Sequence, residues 1–387
     1  MSARHPAVAP RRQPGRMPVP DVLRGVAILA MLVAHGASSL LPEAPALLKA
    51  VFGQLNALAS PLFAVVMGIA AQLVLSRSGA SRGVVIGQQA GRGAILIALG
   101  VWLATWGSWV DIVLAYLGVL AIVGAPLLLL PTRTLALVTA ALLALGEPLS
   151  QVLRQVLSPL VIEHAWLGAP AQWIVFGSNY RLLGLLPMFL LGALALRRGL
   201  PTGRALFGIG FAGVLLWAAG PIAERMLGWP QPTSGSALDT ARDLGLVALA
   251  YVGVAALAQL REPAARRVVD AVFVPFRACG TVALSLYVVQ VALIGWWARS
   301  GIGYQHDDLL RWLILVPGLM LLGVLWWRFV GLGPVEWLIG AVTGRYRRRR
   351  SPQEESDRPR GSDAAAVPSA EEKRAADAAQ PVAAPDS

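Results

Sequence analysis

Val22-Leu-Arg24-Gly25-Val-Ala-Ile-Leu-Ala-Met-Leu-Val-Ala-His35-Gly-Ala-Ser-Ser-Leu-Leu41 is an apolar run interrupted by one arginine and one histidine. A helix needs about 20 apolar residues to cross a bilayer, and this stretch has that length. Titratable groups are costly inside lipid, so Arg24 and His35 call for a reason. Eleven helical steps of about 100° sum to roughly 1100°, about 20° from three full turns. The two side chains therefore share one helix face, roughly 16 Å apart along the axis. One stands near a membrane surface and the other lies deeper, as in a site that reaches through the membrane.

The rest of the chain extends this reading. Of 387 residues, 56% are hydrophobic and 14% charged. Mean hydropathy is +0.62, whereas soluble domains carry about 25% charged residues. The composition implies an all-α fold, a polytopic integral membrane helical bundle. Net charge is +12, almost all from arginine, since lysine occurs only at 49 and 373. These arginines fall in short connections between apolar runs, which reads as membrane topology and excludes a nucleic-acid surface. Lone Cys279 forbids an internal disulfide. No Walker sequence, metal-ligand spacing or serine-centred elbow is present.

About ten transmembrane helices are expected, near 22–41, 56–76, 92–108, 111–130, 134–147, 182–197, 205–222, 244–260, 279–297 and 309–330. The first reads as an uncleaved signal anchor, because cleavable signal cores are shorter and end in a small-residue site. Three regions follow: a basic arm over 1–20, a membrane domain over 21–345 and a polar tail over 346–387. The tail is rich in Ala, Pro, Ser and Glu, cannot bury a core, and is expected to be disordered. Arginine accumulates in the even-numbered connections and both tails, as at Arg77, Arg92, Arg197, Arg198, Arg266 and Arg267. Odd-numbered connections carry mixed charge. The positive-inside rule then puts both termini in the cytoplasm. The connection 148–181 is the longest on the outer side and holds enough apolar residues for a short interfacial or re-entrant segment.

With that topology the polar groups fall at two depths. His35, Asn56, Ser60, Asp111, Glu147 and Gln290 lie toward the outer half; Arg24, Gln72, Arg77, Arg92 and Arg277 lie toward the cytoplasm. A carboxylate can orient a histidine and raise its basicity, and Asp111 at the mouth of its span is the expected partner of His35. Inner arginines, Arg24 among them, suit phosphate groups through bidentate hydrogen bonds. Asn56 is taken with the substrate contacts. Each group also has a plainer role: Arg24 as a snorkelling topology signal, His35 as a helix–helix contact, Asp111 as a loop carboxylate.

Several stretches resemble one bacterial membrane family, domain of unknown function 418 (YeiB-like). They are Asp21-Val-Leu-Arg24-Gly25, Asp111-Ile-Val-Leu-Ala-Tyr116, Leu182 to Gly192, Gly280 to Gln290 with Ser285 where threonine is usual, and Gly333-Pro334-Val-Glu336-Trp337. That family is similar to wider transmembrane acyltransferases: the acyltransferase-3 proteins, whose first helix pairs an arginine with a histidine at the spacing of Arg24 and His35, and the heparan-glucosaminide acetyltransferases. The resemblance implies a bacterial inner-membrane enzyme that moves an acyl group from cytosolic acyl-CoA to an outward-facing glycan, lipid or other envelope acceptor. It needs no metal, and its partners are membrane lipids, acyl-CoA and that acceptor. His35, oriented by Asp111, would be the base; Arg24 would hold donor phosphates; Tyr287 and Gln290 would position substrate. Two other classes stay open: a transporter or flippase of a lipid or small anion, using the same polar groups as a path, and a non-catalytic scaffold.

Overall fold

A computed structural model describes residues 18–37, 44–77, 79, 81–229, 233–301 and 308–344. Most of the basic arm and the whole polar tail lie outside these residues, as does the end of the expected first span at 38–41. One compact unit runs through Thr343, and a second begins at Gly344.

The described residues form helices and no strand, as the composition requires. They are α1 (Pro18–Gly36), α2 (Ala46–Arg77), α3 (Arg82–Ala104), α4 (Leu114–Leu127), α5 (Thr132–Glu163), α6 (Gly168–Ala171), α7 (Leu182–Arg197), α8 (Ala205–Leu227), α9 (Ala237–Ala258), α10 (Pro263–Thr281), α11 (Ala283–Arg299), α12 (Leu309–Leu313), α13 (Leu319–Phe329) and α14 (Pro334–Val342). A π turn, Ile314–Gly318, joins α12 to α13 into one apolar stretch. Seven stretches are long and apolar enough to cross a membrane. The pair α10 and α11 makes an eighth only across a bend of 75°. The two remaining expected spans, α4 and α7, have 14 and 16 residues. Both are shorter than the roughly 20 residues of a straight crossing. α7 is buried on consecutive positions from Leu185 to Leu190. A helix that is apolar all round belongs in a core, and α2, α4 and α5 surround this one.

Two expected boundaries need correction. The fifth span was expected to end at 147, but α5 continues as helix to Glu163. Hydropathy falls after 147, yet helix formation follows backbone propensity, not apolarity. Ser150 and Ser158 bond back to the carbonyls of Gly146 and Arg154, both at 2.7 Å. Serine hydroxyls of this kind accompany prolines tolerated inside membrane helices, here Pro148 and Pro159. The connection expected over 148–181 shrinks accordingly, and its apolar residues form a short 3-10 turn, α6 and a π turn, Gln172–Phe176. The ninth span was expected unbroken over 279–297. The chain instead turns at Val282, and the helix before it begins at Pro263 behind an N-cap at Glu262.

α1 touches α2, α9, α10, α11 and the π turn before α13. Against α10 the two backbones come into direct contact. A Cβ on Gly25 would overlap the backbone of Phe276, and one on Gly280 would overlap the carbonyl of Asp21. Small residues let helix backbones approach this closely in lipid. The stretches Asp21–Gly25 and Gly280–Gln290, far apart in sequence, therefore interlock.

Candidate active site at the α1–α11 contact

Arg24 sits nearly two turns into α1, half-buried. Its Nη1 is 3.7 Å from the carboxylate of Asp21 and donates to the carbonyl of Gly280 at 3.5 Å. The guanidinium thus joins α1 to the end of α10, and its side chain keeps 29% of its surface exposed.

His35 lies in the last turn of the same helix. Its Nδ1 is hydrogen-bonded to the side-chain amide of Gln290 on α11. Gln290 is wholly buried, and the amide oxygen opposite this bond has no hydrogen-bond partner. Buried polar atoms are rarely left so. Trp312 packs against Gly36 beside His35, and its buried indole N–H is likewise unpartnered.

One turn before Gln290, the buried Tyr287 hydroxyl accepts from the amide of Val113 at 3.1 Å. At the far end of α11, Arg299 donates to the carbonyl of Trp106. Both ends of α11 are thereby tied to the segment joining α3 to α4. Asp111 stands in that segment, exposed, and accepts from the side-chain amide of Asn179. The direct partner of His35 is therefore Gln290 and not Asp111. Asp111 stands at the mouth of its span as the sequence implies, but its carboxylate is held on Asn179. Its charge still acts on His35, Tyr116, Tyr180 and Tyr287, so these side chains form one electrostatic cluster.

Asn179 and Tyr180 were not expected in the site; the only sign of them in the sequence is a polar Asn-Tyr-Arg step just before the apolar run at Leu182. Tyr180 packs edge-on against Tyr116 with ring centres 5.6 Å apart. Burial, with Asp111 and Tyr116 adding to it, pushes its hydroxyl up to about 12, so it remains a proton donor near neutrality. Behind it lies a cavity of about 70 Å³ lined by Ser60, Glu147, Asn179, Tyr180, Asp239 and Asp243. Glu147 also accepts from the amide of Ala237 at 2.9 Å and so serves the start of α9. Asn56 is exposed on α2, and the hydrogen bonds around Asp111 run through Asn179 instead. Among the described residues no group of three His, Cys, Asp or Glu side chains could hold a metal ion.

Two family models match the chain. Heparan-alpha-glucosaminide N-acetyltransferase, catalytic, covers residues 16–210. Protein of unknown function (DUF418) covers residues 192–345. A search of curated proteins finds no match. The first stretch carries Arg24, His35, Asp111 and Asn179, and the second carries Tyr287, Gln290 and Glu336, so the His35–Gln290 bond joins the two. The chain belongs to the heparan-alpha-glucosaminide N-acetyltransferase catalytic family through its first half, and is a DUF418 protein related to those acyltransferases.

Proposed function

We propose that this protein transfers an acyl group from an acyl-CoA thioester to a hydroxyl or amine acceptor at the outer face of a bacterial inner membrane. The bond between His35 and Gln290 carries the reading. A side-chain amide both donates and accepts, so it serves either tautomer of the ring. As placed, the amide nitrogen donates to Nδ1; with the amide turned over, Nδ1–H donates to its oxygen and Nε2 holds the lone pair a base needs. His35 then takes the proton from the acceptor as its oxygen or nitrogen attacks the thioester carbonyl. The carbon–sulfur bond breaks, and CoA leaves as a thiolate that is protonated from solvent. Arg24, with its partly exposed guanidinium, faces the donor phosphates from the cytoplasmic side. Tyr180 and Tyr287 hold the outer wall near Asp111. The match to an acetyltransferase catalytic domain supports the reaction class. Clustering of arginine in alternate connections supports the donor side and cytoplasmic termini.

The test uses the full chain in lipid nanodiscs with acetyl-CoA and longer acyl-CoA thioesters, reading free thiol release in the presence of simple sugars and amines. Wild type releases CoA in an acceptor-dependent manner, and His35→Ala loses about 10²–10⁴-fold of that rate, the usual contribution of a positioned base. Acceptor-dependent release that survives His35→Ala refutes the role of His35. Uptake of a lipid or anion with no CoA release favours transport instead.

A further inference from the structure

α11 begins without a cap of its own. The chain breaks at Val282, and that residue supplies no side-chain bond to the amides that follow. The first four N–H groups of any helix lack an intrahelical acceptor. In an apolar bundle, irregular backbone survives only where protein groups satisfy it. Here the acceptor arrives from α14. Glu336 Oε1 accepts from the amides of Leu284 at 2.6 Å and Ser285 at 3.3 Å. Its Oε2 accepts from the Ser285 hydroxyl at 2.5 Å, and that hydroxyl accepts in turn from the amide of Val335 at 3.2 Å. Gly333 makes room for the arrangement, since a Cβ there would strike both the Glu336 carboxylate and Ser285 Oγ. A carboxylate at this end also faces the favourable pole of the helix dipole.

The helix capped in this way presents Tyr287 to Val113 and Gln290 to His35 within its first two turns. We propose that Glu336 is a positioning residue: by capping α11 it sets the register at which Gln290 meets His35. The closing segment of the DUF418 stretch thereby completes a site whose base comes from the acetyltransferase-like stretch. Only the kinetic consequence of this proposal rests on the acyl-transfer reading; the positional consequence stands apart from it.

The experiment compares full-length wild type, Glu336→Ala, Glu336→Gln, Ser285→Ala and Gln290→Leu in nanodiscs. Carbethoxylation of His35 by diethyl pyrocarbonate is followed by peptide mass, with exposed His164 as internal reference. Amide hydrogen exchange is followed in the same samples. Glu336→Ala is expected to raise the His35 rate severalfold, to that of Gln290→Leu, with His164 unchanged. Exchange should rise over Leu284 to Gln290 and stay level in α2. Glu336→Gln keeps an oxygen for the two backbone amides and should restore most of the wild-type behaviour. In turnover, Glu336→Ala should lower kcat about 10²-fold, the scale of an ångström misplacement, with the donor KM unchanged. A wild-type His35 rate in Glu336→Ala overturns the proposal. Should that variant fail to fold, Ser285→Ala decides: a His35 rate raised at least about twofold supports the role, because one arm of the cap is gone, and an unchanged rate overturns it. If wild type turns over no thioester, the acyl-transfer reading fails, and the carbethoxylation and exchange results still decide this one.

Discussion

Replacing both members of the His35–Gln290 pair by apolar side chains, His35→Phe with Gln290→Leu, should abolish activity and leave the protein as stable as wild type or more so. Gln290 is wholly buried, one amide atom is bonded to His35 and its oxygen has no partner. A net intramolecular hydrogen bond stabilises by about 1 kcal/mol, while a buried polar atom left unpaired costs about 1–3 kcal/mol. Gln290→Leu alone removes the bond and the unpaired oxygen but strands the ring nitrogen of His35. One unpaired atom replaces another, so the variant should lose about 1 kcal/mol. The double variant loses the same bond and strands nothing. It should lie between about 0 and 2 kcal/mol above wild type. Unfolding titrations in mixed micelles measure the four corners of the cycle, and thiol release measures activity in the same preparations. A double variant more than about 2 kcal/mol less stable than wild type would refute the reasoning, because the pair would then be held for stability.

Tyr287→Phe keeps the ring but strands the amide of Val113; it should cost about 1–3 kcal/mol in the same titration. Gly25→Leu puts a side chain into the backbone of Phe276, and should abolish the monodisperse protein peak in size-exclusion chromatography, because backbone cannot yield as a side chain tip can. Glu262 caps α10 by accepting from the amides of Ala264 at 3.0 Å and Ala265 at 2.5 Å, and these bonds hold its carboxyl below the usual range. A carboxyl lowered by folding contributes stability above its unfolded value and loses it as pH falls through its folded value. The stability gap between wild type and Glu262→Ala should therefore be full at neutral pH and close on acidification below the ordinary glutamate range; a gap that widens there contradicts the cap.

Much of the architecture was legible because it is local. A run such as Val22–Leu41 announces a membrane helix from its own apolarity, and the arginine clusters between runs follow the same logic. Helix ends were less legible. Apolarity tells where lipid begins, whereas the backbone of α5 continues past it to Glu163, held by serine hydroxyls that no hydropathy profile weighs. The bend at Val282 was hidden for the opposite reason, since Gly280-Thr281-Val282 sits inside an apolar run and breaks because α1 crosses there and Glu336 is available to cap the restart.

Within the site, the Arg24 and His35 spacing was readable because both lie on one helix. That Gln290 meets His35 was not, since 255 positions separate them. Asp111 was the natural partner by chemistry, yet Asn179 holds its carboxylate and α11 brings an amide to the imidazole in its place. By itself the sequence determined where the apolar helices lie, that they belong in a membrane, and which few polar groups enter it, because each follows from nearest neighbours along the chain. Only the tertiary structure decided which of those groups touch, because hydrogen bonds and helix crossings such as Gly25 against Phe276 depend on segments that nothing local brings together.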